Sequence, residues 1–151
     1  MKVATADHNH AVGHTERVLF TMWRRDTTLD AVRGLAAVTQ QLSRLGTGSL
    51  TIVEGGASLP SSKARTELAS ALRAERTMLC SALVFEGDGF RAAAVRAITT
   101  GIYQLAKPPF PIRVFANVME AAEWMESFPL NVKASQVVAS VNKLRSALDA
   151  L

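Results

Sequence analysis

Short apolar runs alternate in this chain with longer segments in which apolar residues recur every three to four positions. The runs are short and rich in β-branched or aromatic residues, as buried strands are. They lie at residues 17–23, 50–53, 82–85 and 112–115. Because strands joined through helices lie parallel in one sheet, the pattern predicts an α/β domain. Its sheet should be mostly parallel, with four to five strands and flanking helices.

Capping and breaking residues mark the predicted helices. Thr27 and Asp30 have the spacing of a capping box, and Gly46 and Gly48 suit the left-handed turn that ends a helix. The apolar face of this first helix is Val32, Leu35, Val38, Leu42 and Leu45. A second helix is predicted over 60–76 and a fourth over 117–128. The third should bury one side formed by Phe90, Ala93, Ala94, Ala97, Ile98, Gly101, Ile102 and Leu105.

The two ends of the chain are predicted to lie outside the repeating unit. Residues 1–128 would form the α/β domain, with residues 1–15 either an edge strand or a mobile arm; residues 10–14 are the candidate antiparallel edge strand. Residues 129–151 form an amphipathic helix with one apolar seam. The seam consists of Ala134, Val137, Val138, Val141, Leu144, Leu148 and Leu151. It can pack on its own domain or pair with a second copy as a homodimer.

Composition favours a cytoplasmic protein that spans no membrane. One cysteine among 151 residues cannot form an internal disulfide, and no apolar run approaches the roughly 20 residues that cross a bilayer. Residues 1–8 lack the apolar core of a signal peptide. The basic residues behind the net charge of +4 are scattered and lie mostly on predicted solvent faces, near acids such as Glu67, Glu75 and Glu123. We therefore expect no specific nucleic-acid partner.

No catalytic motif is visible in the sequence. Gly55, Gly56, Gly87 and Gly89 are not followed by the lysine of a phosphate-binding loop. Cys80 lies in or just before the predicted buried strand at 82–85, where we expect its thiol to be inert. Asp7, His8, His10 and His14 could hold zinc, but a hairpin arm or a mobile terminus offers no fixed scaffold for a metal site. We expect no enzyme activity, no cofactor and no metal.

Polar residues cluster where the second and third core strands end. Glu54 follows one strand, and Glu86 and Asp88 follow the next. The carboxyl ends of parallel strands share one edge, where ligand crevices form. The carboxylates there either stabilise nearby helix N-termini or act as an acid/base pair, although no nucleophile completes such a site. Together with Ser58 and Arg91, they are our candidate partner surface or crevice.

Three stretches carry a family resemblance, LTIVEGGASLPSSK at 50–63, LVFEGDGFR at 83–91 and PIRVFANVMEAAEWM at 111–125. They resemble the STAS (sulfate transporter and anti-sigma factor antagonist) and SpoIIAA-like domains, over roughly residues 17–128. The resemblance implies a sheet with helices mostly on one side and no catalytic centre. It also implies a protein partner: a kinase, an anti-sigma-like factor or another regulator.

In the anti-sigma antagonists a serine at the start of the helix after the second core strand is phosphorylated, within the motif Asp-Ser-Ser/Thr-Gly. This chain has Pro60-Ser61-Ser62-Lys63 there, without the aspartate and the glycine. Ser61 and Ser62 are therefore candidates either for phosphorylation or for a plain helix N-cap.

The sequence as a whole favours a non-catalytic regulatory or protein-interaction module. The alternative is a binder of a lipid or another small apolar ligand, since SpoIIAA-like proteins also resemble lipid-binding domains. A large apolar pocket would favour the alternative. A flat surface around Ser61 and Arg91 would favour the interaction module.

Overall fold

Within residues 1–42 and 46–151, which the computed structural model describes, six strands form one sheet with helices on both faces. The strands are β1 (Lys2–Ala6), β2 (His10–His14), β3 (Val18–Trp23), β4 (Thr47–Glu54), β5 (Met78–Glu86) and β6 (Ile112–Phe115). The helices are α1 (Leu29–Leu42), α2 (Ser62–Ala74), α3 (Gly89–Ala106), α4 (Val118–Glu126) and α5 (Ala134–Asp149). The predicted buried position Leu45 lies outside the described residues.

The sheet is ordered as the strands are in sequence, from β1 to β6. β3 to β6 are mutually parallel, which confirms the predicted parallel core. β2 pairs antiparallel with β3, as predicted for residues 10–14.

The prediction of four to five strands is wrong, because the sheet has a further strand at the N-terminus. β1 pairs antiparallel with β2 and forms the edge of the sheet. Its sequence, KVATA, is exposed or half-buried throughout. An edge strand can be held mainly by backbone hydrogen bonds and needs few apolar residues. This segment therefore lacks the apolar pattern that predicts a strand.

The strands also extend further than their apolar runs. β4 begins at Thr47 and includes Gly48, which the sequence suggested as part of a helix-ending turn. A Cβ atom on Gly48 would lie 2.7 Å from Leu130 Cδ1. Glycine therefore lets the chain after α4 pack directly on this strand.

α4 and α5 cover what we call the rear face of the sheet, and α1, α2 and α3 cover the front face. The resemblance implied helices mostly on one side, so the two-sided arrangement differs from that expectation. Of the two burials considered for the C-terminal helix, packing on its own domain is the one observed. Val137, Val141, Leu144 and Leu148 of α5 are buried in the rear core with Phe20, Leu50 and Ile52 of the sheet.

The buried side of α3 is rotated from the predicted one. Ala92, Val95, Thr99, Ile102 and Ala106 are buried. Phe90 and Leu105, which were expected inside, are 90% and 54% exposed. Small and apolar residues occur all around this helix, so its sequence contains no sharp stripe from which to choose a face.

None of the helices in the described part of the chain is long and apolar enough to cross a membrane.

Candidate functional site: a cavity under three helices

The two faces of the parallel sheet carry different side chains. Alternate residues of a strand point to opposite faces, and the parallel register aligns them in rows across the sheet. The rear face presents apolar residues in the rows Phe20, Leu50, Ala82 and Met22, Ile52, Val84. The front face presents hydroxyls in the rows Leu19, Ser49, Ser81 and Thr21, Thr51, Leu83. Small polar side chains therefore take the place of large apolar ones on the front face.

A cavity of about 180 Å³ lies between this front face and α1, α2 and α3. Most of its lining is apolar. The helices contribute mainly Val32, Leu35, Ala36, Leu68, Ala71, Leu72, Val95, Ile98 and Ile102. Short side chains on both sides leave this gap, whereas α4 and α5 bury apolar side chains against the rear face.

The cavity follows the direction of the strands. Thr27, Ser58, Leu59 and Pro60 line it near the carboxyl ends of β3 and β4, and Glu75 and Met78 line it near the start of β5. Ser58 and Leu59 are exposed. The cavity therefore reaches the loop before α2, close to the predicted crevice.

Polar groups lie at intervals along the lining. The Ser49 hydroxyl donates to Ser81 Oγ at 2.8 Å, and Thr39 Oγ1 donates to the Leu35 carbonyl at 2.8 Å. Tyr103 lines the wall, and burial raises the pKa of its phenol.

Glu75 is the acidic residue of this lining. The sequence places Glu75 near solvent-facing basic residues, but only 8% of the residue is exposed. Its Oε2 atom has no hydrogen-bond partner, and burial raises the pKa of the carboxyl group. A buried carboxylate oxygen without a hydrogen-bond donor lowers the free energy of unfolding. Its presence in a cavity wall therefore suggests a role in binding.

Two of the predicted crevice residues are held in an ion-pair network with α5. Arg145 donates to Glu54 Oε1 at 2.9 Å and to Glu86 Oε1 at 2.7 Å. Arg24 donates to Glu54 Oε2 at 2.8 Å and to Asp149 Oδ1 at 2.7 Å. The structure thus brings Glu54 and Glu86 together, and it engages both carboxylates in binding the C-terminal helix to the sheet edge.

The other crevice candidates lie on the loops beside this network. Arg91 donates to the Ala57 carbonyl and so ties α3 to the loop before α2. The Ser58 hydroxyl donates to the Arg25 carbonyl at 3.4 Å. Asp88 is the N-cap residue of α3 and is exposed, with no side-chain capping bond.

The two candidate serines lie at the N-terminus of α2. Ser61 is the N-cap residue, and its Oγ accepts a hydrogen bond from the Ala64 backbone N–H at 3.2 Å. Ser62 Oγ accepts from the Arg65 guanidinium at 3.4 Å. Both are exposed, so the capping role is visible while both hydroxyls stay accessible.

The histidine segment forms part of the sheet. His10 stacks on Trp23 with ring centroids 5.1 Å apart, and its Nδ1 atom lies 3.1 Å from Asp7 Oδ1. Among the described residues no group of three or more metal-ligating side chains comes together. Cys80 is fully buried on the rear face, where desolvation raises the pKa of its thiol to about 12.

Sequence reasoning missed the cavity and Glu75. One signal was present: Thr21, Ser49, Thr51 and Ser81 fall on alternate positions of otherwise apolar strands. That spacing places all of the hydroxyls on one face. Glu75 gave no such signal, because it stands between Arg73 and an exposed Arg76, as a solvated acid would.

No family model, no curated protein and no solved structure matches this chain. The structure shows an α/β fold with a six-stranded mixed sheet, and the resemblance to the STAS and SpoIIAA-like domains stays a prediction.

Proposed function

We propose that this chain is a non-catalytic domain that binds a small, mainly apolar ligand in the cavity between the sheet and α1, α2 and α3. The observation that carries the proposal is the cavity itself, with a volume of about 180 Å³ and a largely apolar lining. Natural proteins pack their interiors densely, and a gap of this size leaves side chains without partner atoms. A ligand would restore those contacts.

The volume bears on what kind of ligand fits. An apolar protein cavity of about 150 Å³ binds benzene, whereas drug-sized ligands occupy roughly 300 Å³ or more. A cavity of about 180 Å³ therefore suits a molecule slightly larger than benzene rather than a whole lipid. The few hydroxyls on its floor would orient such a ligand.

A pair of matched variants tests this function. Ala36 of α1 lines the cavity, while its neighbour Ala37 is exposed. Ala36→Leu should fill part of the cavity, and Ala37→Leu adds the same atoms in solvent. We expect toluene or benzyl alcohol to shift backbone NMR signals of the cavity wall in the wild type and in Ala37→Leu, and to bind Ala36→Leu at least roughly tenfold more weakly. Failure of both compounds to bind the wild type would contradict the proposal, as would unchanged binding to Ala36→Leu.

A regulatory protein-interaction module is the second candidate. Two apolar side chains are exposed near the carboxyl edge of the sheet, with exposed fractions of 46% for Leu59 and 90% for Phe90. Aromatic side chains such as Phe90 are enriched in protein interfaces. Leu59 also lines the cavity, so a partner bound here would contact the wall of the ligand site.

Variants at the two ends of α3 test the second candidate. Phe90→Ser should abolish the binding of a partner isolated with the wild-type protein. Leu105→Ser changes an exposed apolar residue at the other end of the helix and should leave that binding intact. Equal effects of the two variants would speak against an interface at the carboxyl edge.

A further inference from the structure

One oxygen of the Glu75 carboxylate is a buried acceptor without a donor. The residue lines the cavity, Oε2 has no hydrogen-bond partner, and burial is the sole cause that raises the pKa of the group. Buried polar atoms are nearly always satisfied in native proteins. A ligand that brings a donor to this position would remove the deficit.

The surroundings of Glu75 favour positive charge. Glu75 is the C-cap residue of α2. Gln40 of α1 and Tyr103 of α3, which also line the cavity, lie within a turn of the ends of their helices. The C-terminal turns of helices carry partial negative charge, so three of them converge on this end of the cavity.

The protein supplies little positive charge of its own here. Within residues 1–42 and 46–151, no lysine, arginine or histidine lines the cavity. The nearby Arg73 guanidinium donates to the Leu105 carbonyl at 2.9 Å on the surface. A cation placed beside Glu75 would therefore be attracted by the carboxylate and by the helix ends, without an opposing charge in the described lining.

We infer that the ligand of this cavity is a small apolar molecule bearing a primary amine, whose ammonium group donates hydrogen bonds to the Glu75 carboxylate. This inference rests on the proposed function. An ammonium–carboxylate pair carries no net charge into the apolar cavity, and charge-assisted hydrogen bonds are stronger than neutral ones. A ligand carboxylate would be repelled by the same carboxylate and the same helix ends.

Four compounds of similar size test the inference: benzylamine, benzyl alcohol, toluene and benzoate. Each is titrated by NMR into the full chain at neutral pH, where benzylamine is protonated. The variants are Glu75→Gln, which keeps the shape and removes the charge, and Glu67→Gln, which makes the same change on the outer side of α2 beside Arg33. Both are compared with the wild type.

We expect the wild type and Glu67→Gln to bind benzylamine at least roughly tenfold more tightly than benzyl alcohol, and benzoate most weakly. In Glu75→Gln the ratio of the two affinities should fall to about threefold or less. Using a ratio within one variant cancels any general change in the cavity.

Each contrary result has a distinct meaning. If the wild type binds toluene and benzyl alcohol but does not prefer benzylamine, the inference is overturned and the proposed function stands. This outcome does not depend on whether Glu75→Gln folds. A preference that persists in Glu75→Gln also overturns it. Failure of toluene and benzyl alcohol to bind the wild type overturns the proposed function and the inference with it.

Discussion

Ser49 and Ser81 face each other across β4 and β5 and share a hydrogen bond of 2.8 Å between their hydroxyl groups. They occupy paired positions of the parallel register, on the front face of the sheet. Their neighbours on the rear face, Gly48 and Cys80, belong to a densely packed core. One step along the strand thus changes the surroundings from a filled core to the floor of a cavity.

The two serines should be energetically coupled. Replacing Ser49 alone by alanine leaves the buried Ser81 hydroxyl without its partner, and we expect a loss of about 1 kcal/mol in the free energy of unfolding. The double replacement Ser49→Ala with Ser81→Ala removes both hydroxyls and should cost less than the sum of the single changes. Urea unfolding of the four proteins measures the coupling. Strictly additive costs would show that the hydroxyls act independently.

The ion pairs of Arg145 should matter for stability. Arg145→Met leaves Glu54 and Glu86 next to each other without the guanidinium that now lies between them. Because both pairs are partly exposed, solvent screening limits the loss to about 1–2 kcal/mol. Lys143→Met on the same helix removes an exposed cation that contacts the Met1 carbonyl, and it should change stability by about 0.5 kcal/mol or less. Similar losses for the two variants in thermal unfolding would contradict a structural role for the network.

The burial of Glu75 should make stability depend on pH. The pKa of its carboxyl group is raised in the folded chain above the ordinary value of 4.5. Between these two values the folded state holds a proton that the unfolded state has released, so stability falls as pH rises through this interval. Tyr103, the other ionisable group in the described lining, titrates only at alkaline pH.

Glu75→Gln should therefore be more stable than the wild type near neutral pH, and the two should converge as pH falls toward about 4. Free energies of unfolding from urea titrations at several pH values give the comparison. Parallel curves for the two proteins would mean that Glu75 does not titrate abnormally.

Much of the fold could be predicted from local sequence. The parallel core follows from the alternation of strands and helices, and Ser61 and Asn117 cap α2 and α4 through their side chains at the start of each predicted helix. These features depend on hydrophobic periodicity and on short-range hydrogen bonds. β1 was not predicted as a strand, because an edge strand needs few apolar residues.

The site depends on relationships that local sequence does not contain. The strand-end carboxylates Glu54 and Glu86 were recognised as neighbours, but their partner Arg145 lies about 90 and 60 residues further along the chain. The sequence analysis placed Glu75 only as an acid near solvent-facing basic residues. Whether such a residue is covered depends on how α1 and α3 pack beside α2, which is a tertiary relationship.

Leu144 of α5 should be among the residues that stabilise the rear core most. It is fully buried, and its Cδ1 atom would lie 3.3 Å from a Cβ placed on Gly13 of β2, so helix and strand are in close contact here. Leu144→Ala would leave a cavity in a closely packed region, and we expect a loss of about 2–5 kcal/mol in the free energy of unfolding. Leu151→Ala removes the same atoms from a residue that is 55% exposed just beyond the helix, and it should cost about 0.5 kcal/mol or less.

Because α5 is continuous with the core, truncation after Phe128 should abolish cooperative unfolding altogether. A truncated chain that unfolds at the same temperature as the full chain would contradict this assignment of the C-terminal helix.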